Sequence, residues 1–140
     1  SYYSFLKMET KDDIGYLSID FGLYPRTLYI VKGNNKNKVI SDNFMSREDT
    51  DLEVSDHDRS DGSRMWPVIE RNSKKWGFLV QLRRVTDKSE MAHEATHVAF
   101  DLFRDIGAYA DEENQEPFAY LVGWVTRQLI NAYNYKENKK

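Results

Sequence analysis

His93-Glu94-Ala95-Thr96-His97 places two imidazoles four residues apart, with a carboxylate directly after the first. Residues four apart on a helix share a face, so both rings reach one ion, while Glu94 lies to the side, where water on that ion would stand. Zinc suits this set. Held by three protein groups, it keeps a fourth position for water, lowers the pKa of that water and polarises a substrate carbonyl, while the glutamate takes the proton. The spacing points to zinc-dependent hydrolysis, with His93 and His97 as ligands and Glu94 as general base.

The surrounding residues read as a helix over about 88–106. Asp87 or Ser89 caps its start, Gly107 stops it, and Met91, Ala95, Val98, Ala99, Leu102 and Ile106 form an apolar stripe with the histidines nearly opposite. A third ligand is required. No His or Cys follows His97, so the candidates are carboxylates of the acidic turn that enters a second helix at about 115–134: Glu116, or Glu113 in its place. Glu116-Pro117 is also what an ordinary helix start looks like, since acids favour the positive dipole end and proline is tolerated in the first turn. Phe118, Leu121, Val122, Val125, Leu129 and Ala132 form that helix's apolar stripe, leaving Glu116, Tyr120 and Arg127 on its other side.

HEATH followed by a glutamate on the next helix resembles the glutamate-type zincins, the group that includes the thermolysin-like peptidases. The run Glu113-Asn-Gln-Glu-Pro-Phe-Ala-Tyr-Leu121 is also similar to small zincin-like proteins encoded by bacteriophages. The resemblance covers about residues 64–130, and HExxH is its specific part. It implies a zinc peptidase fold, with the third-ligand role carried onto Glu116, the base role onto Glu94, and Glu113 as substitute ligand. Thermolysin-like enzymes have an aspartate four residues after the glutamate ligand, where this chain has Tyr120. Support of the imidazoles then falls to another group, for which Asp101, one turn past His97, is the candidate. Tyr120 is a candidate oxyanion donor, or a tyrosine packed between helices.

The 140 residues, 40% of them hydrophobic, suffice for one domain with its own core. Cysteine is absent, which excludes disulfides, thiolate catalysis and iron–sulfur clusters, so any metal is held by His and carboxylate. A net charge of −3 with scattered basic residues argues against nucleic acid as a partner. No apolar run is long enough for a membrane span. A soluble, cytoplasmic protein is expected, in the host cytoplasm if it is phage-encoded.

Upstream of the zinc helix the chain looks β-rich. Strands are expected at 14–21, 27–32 and, after the turn residues 33–38, at Val39-Ile40; a second pair at 65–70 and 75–83 is joined by a turn at 71–74. The expected class is α+β, an N-terminal antiparallel sheet followed by two C-terminal helices covering one face. In zincins the strand before the HExxH helix commonly lies along the cleft. Residues 76–82 hold that position, either as a peptide-binding edge or as a buried strand. Pro67 favours an edge location. Residues 41–64 read as a long polar loop able to cover a cleft. The calcium-like rhythm of Asp56, Asp58, Ser60 and Asp61 lacks its glycine and glutamate in register, and His57 reads as a surface histidine.

The expectation is a zinc metallopeptidase acting on polypeptide. The alternatives are a non-catalytic binding module on the same scaffold, and a zinc amidohydrolase acting on something other than protein, such as cell-wall peptide. Oligomeric state is not legible.

Overall fold

The computed structural model describes residues 15–33, 35–52, 54 and 62–135. The fold is α+β. In chain order it runs β1 (Tyr16–Asp20), β2 (Thr27–Lys32), α1 (Asn37–Asn43), β3 (Phe44–Met45), β4 (Arg64–Glu70), β5 (Trp76–Leu82), α2 (Lys88–Ile106) and α3 (Gln115–Asn134). The strands form one sheet in the order β1-β2-β5-β4-β3.

The alternation of side chains along each strand divides the core into two layers. Leu17, Ile19, Leu28, Ile30, Phe78, Val80 and Leu82 face α2 and α3, which add Met91, Ala95, Val98, Leu102, Leu121, Val125 and Leu129. Tyr16, Tyr29, Val31, Val68 and Leu79 face the other way and are covered by Ile40 and Phe44. With both faces covered, β2 and β5 read as continuous apolar runs rather than alternating ones.

Three expectations change, one of them the 41–64 loop, in which residues 41–43 end α1, 44–45 form β3 and 64 opens β4. The sheet is mixed, because β2 and β5 pair in parallel while the other three pairings are antiparallel. Val39-Ile40, expected as a strand, lies in α1. There a Lys38–Asp42 pair one turn apart and an Asn43 Nδ2 to Val39 carbonyl bond support a helix that delivers Ile40 to the core. Of the two readings of residues 76–82, the buried strand is the one formed, because β5 is paired on both sides, by β2 and by β4. The 71–74 turn stands as expected, with Glu70 N–H donating to the Lys75 carbonyl and Lys74 N–H to the Glu70 carbonyl. The calcium-like residues 56, 58, 60 and 61, and His57, lie outside the described residues.

The parallel contact needs Gly77. A Cβ there would stand 2.1 Å from the Thr27 carbonyl oxygen and 2.7 Å from the Tyr29 ring, and the backbone oxygen has no room to retreat within the ladder. Gly77→Ala is therefore expected to destabilise the fold by roughly 2–4 kcal/mol, measured by denaturant unfolding. Wild-type stability in that variant would show that the two strands do not pair this closely.

Candidate functional site

Helix α2 carries the histidines and is tied down at both ends. Asp87 caps its start, the side chain accepting from Glu90 N–H at 2.9 Å, and Gly107 closes it in the left-handed conformation at φ 74°. Both ends match the sequence reading. The first turn is also clamped to the sheet: Glu90 accepts from the Ser63 amide and hydroxyl and from Arg83 Nε and Nη2. Burial alone would push the Glu90 carboxyl up, but the Arg83 and Ser63 donors outweigh it and hold it down at about 2. At the other end Asp105 Oδ2 accepts from Arg26 Nε at 2.9 Å and Arg47 Nη1 at 3.0 Å. The Asp87-x-x-Glu90 spacing hinted at a role for Glu90 at the helix start. No sequence signal marked Arg83, Ser63, Arg26 or Arg47.

On this fixed helix His93 and His97 present their rings outward, His93 with 68% of its side chain exposed. Their Nε2 atoms are 3.2 Å apart, with ring centroids 4.8 Å apart and planes at 77°. Two nitrogens each about 2.0–2.1 Å from a tetrahedral zinc would be about 3.3 Å apart, so the imidazoles fit that ion as they stand. Glu94 turns inward and is 6% exposed. Its Oε2 is 4.0 Å from His93 Nε2, and no described residue donates a hydrogen bond to it. Burial raises its carboxyl to about 7; charge on His93 opposes the shift and Glu90 adds to it.

The other sequence candidates do not join this pair. Helices α2 and α3 run antiparallel. Phe118 packs on Phe100 and Phe103, while at the far end the Tyr133 hydroxyl donates to the Arg84 carbonyl. Glu116 precedes Phe118, so at 1.5 Å of rise per residue it sits on the order of 10 Å along the axis from His97. Glu116 is exposed and lines a shallow concavity on the outer face of α3 with Tyr120, Gly123 and Arg127. Glu113 is exposed in the preceding turn. Asp101 accepts from Arg104, not from either imidazole, and Tyr120 is 74% exposed. Among the described residues no three His, Asp or Glu side chains converge as metal ligands. The structure thus assembles His93, His97 and Glu94, and leaves Glu116 apart.

The Glu94 carboxyl gives a stability signature. Its folded-state pKa lies above the usual carboxylate value, so the native state binds the extra proton between about pH 4.5 and 7, and stability falls as pH rises through that window. For metal-free protein, Glu94→Gln is expected to match wild type near pH 4 and to be more stable by about 3 kcal/mol at pH 8 and above, measured by urea unfolding across pH. Equal stabilities at pH 8 would show that the carboxylate is already well solvated. Comparison of the chain with protein-family models, with curated proteins and with solved structures finds no match in any of the three.

Proposed function

We propose that the chain is a zinc-dependent metallopeptidase in which His93 and His97 hold the ion, oxygen ligands that no described carboxylate supplies complete its shell, and Glu94 moves the proton. The observation that carries this reading is the convergence of the two Nε2 atoms at 3.2 Å beside a buried carboxyl. Zinc, when bound, would supply Lewis-acid polarisation of a carbonyl and a water acidic enough to react near neutral pH. Burial raises the Glu94 carboxyl in the metal-free protein, and a carboxylate at this position could take a proton from water on the ion and return it to a leaving amine.

Two features favour a polymeric substrate. The histidines stand on an exposed helix face, which admits a chain that a closed cavity would exclude. Beside α2, strand β4 is covered by β3 only at Ile69 and Glu70. Among the described residues no strand pairs with the outer side of residues 65–67. The Glu70–Lys75 bond fixes the alternation so that Pro67, which has no donor to lose, falls on that outer side. An extended peptide can add there through main-chain hydrogen bonds. The absence of any membrane-length apolar helix among the described residues is compatible with action in the cytoplasm.

The separation of Glu116 from the histidines favours a second reading, a zinc-binding interaction module that does not turn over substrate. Calorimetric zinc titration of metal-free protein, run with a peptide-library cleavage assay, distinguishes the two. The expected result is one zinc per chain, bound about 100-fold or more weakly by His93→Ala and His97→Ala. Glu94→Gln is expected to keep its zinc and lose at least about 100-fold in turnover, the usual scale for removing a general base. Glu116→Ala is expected to retain zinc. Tight zinc without cleavage establishes the module; undiminished cleavage by Glu94→Gln overturns the mechanism.

A further inference from the structure

At the opposite end of α2 from the histidines lies a groove of about 380 Å³ between the β1–β2 turn and the start of β5. Asp105, eight residues beyond His97, stands behind it, about 12 Å further along the helix axis. The groove is therefore separate from the site described above.

Its charge is unbalanced. Arg26 and Arg47, only 17% and 14% exposed, both donate to the same Asp105 oxygen, so two largely buried guanidiniums share one carboxylate. Arg47 spends its remaining nitrogens on the Val68 and Gly77 carbonyls. Arg26 spends Nη1 on the Pro25 carbonyl and leaves Nη2 with no partner among the described residues. The Lys75 ammonium, also in the lining, has none either. Opposite in character is Asp20, held among the described residues by a single 3.4 Å contact from the Thr27 hydroxyl, with acceptor capacity to spare. The remaining walls are aromatic. Trp76 is 42% exposed, with the Arg47 and Arg26 guanidiniums 4.5 Å and 5.5 Å from its ring, and Tyr24 is the second aromatic of the lining.

These groups call for three features in one ligand. Cationic donors without partners select an anion, most strongly a phosphate that takes several hydrogen bonds at once. An exposed aromatic ring, Trp76, selects a flat ring that can stack. A carboxylate acceptor at the same groove selects hydroxyl groups. The volume falls in the small-molecule range. We propose that this groove binds a nucleoside monophosphate, with the phosphate at Arg26 and Lys75, the sugar hydroxyls at Asp20, and the base against Trp76.

The test is calorimetry on the full chain at low salt with three probes: adenosine monophosphate, adenosine and inorganic phosphate. Lys75→Glu is run alongside, since Lys75 is exposed and its side chain pairs with nothing described. The monophosphate is expected to saturate one site at least about tenfold more tightly than either fragment, and Lys75→Glu to weaken it by about tenfold or more with an unchanged melting temperature. If that variant melts early, the Trp76 indole resonance, assigned by Trp76→Phe, decides; it is expected to shift on titration of wild type with the monophosphate. Binding no tighter than inorganic phosphate, a Lys75→Glu protein that melts and binds like wild type, or a Trp76 resonance that does not move overturns the proposal.

Discussion

The placement of helix α2 depends on two carboxylate–arginine anchors, one at each end. Glu90 takes its donors from Ser63, just before β4, and from Arg83, just after β5; Asp105 takes its donors from Arg26, before β2, and from Arg47, after β3. Between these anchors Met91, Ala95, Val98 and Leu102 rest on the sheet. Apolar packing alone is non-directional and would tolerate a rotation of the helix. Hydrogen-bonded ion pairs at both ends do not, because turning the helix would strand partly buried charges.

That fixed rotation gives the HExxH residues their different environments. His93 and His97 project to solvent as a convergent pair, while Glu94, the next position around the helix, is forced into the packed side of α2. A buried carboxylate without donors resists ionisation, which is how an ordinary glutamate comes to titrate near neutrality. Glu90, four residues earlier on nearly the same face, behaves in the opposite way because Arg83 and Ser63 reach it. Two acids one turn apart are thus held in different protonation states at pH 6, Glu90 ionised and Glu94 protonated.

Local information in the sequence was enough for α2 and α3. Periodicity, the Asp87 cap and the Gly107 stop locate α2, and Gln115–Asn134 agrees with the apolar stripe of the second helix. The α+β class and the β4–β5 hairpin were legible for the same reason. What failed depends on distant partners. Two adjacent β-branched residues at Val39-Ile40 look like a strand until the core that receives Ile40 is known. The parallel pairing of β2 with β5 joins Thr27 to Gly77, and no local pattern announces it. The His93–His97 juxtaposition could be read from helical spacing, whereas the position of Glu116 depends on the level at which α3 packs against α2 through Phe118, Phe100 and Phe103. Arg26 and Arg47, far from Asp105 in sequence, could not be assigned to it before folding.

X-ray absorption at the zinc edge, on protein loaded with one equivalent of zinc, tests the central claim most directly, because it counts the imidazoles on the ion. Two imidazoles at about 2.0 Å, with the remaining ligands oxygen, is the expected result. The chain has three histidines. A spectrum with one imidazole or none, or protein that takes up no zinc, would contradict the assignment of His93 and His97 as the pair that holds the metal.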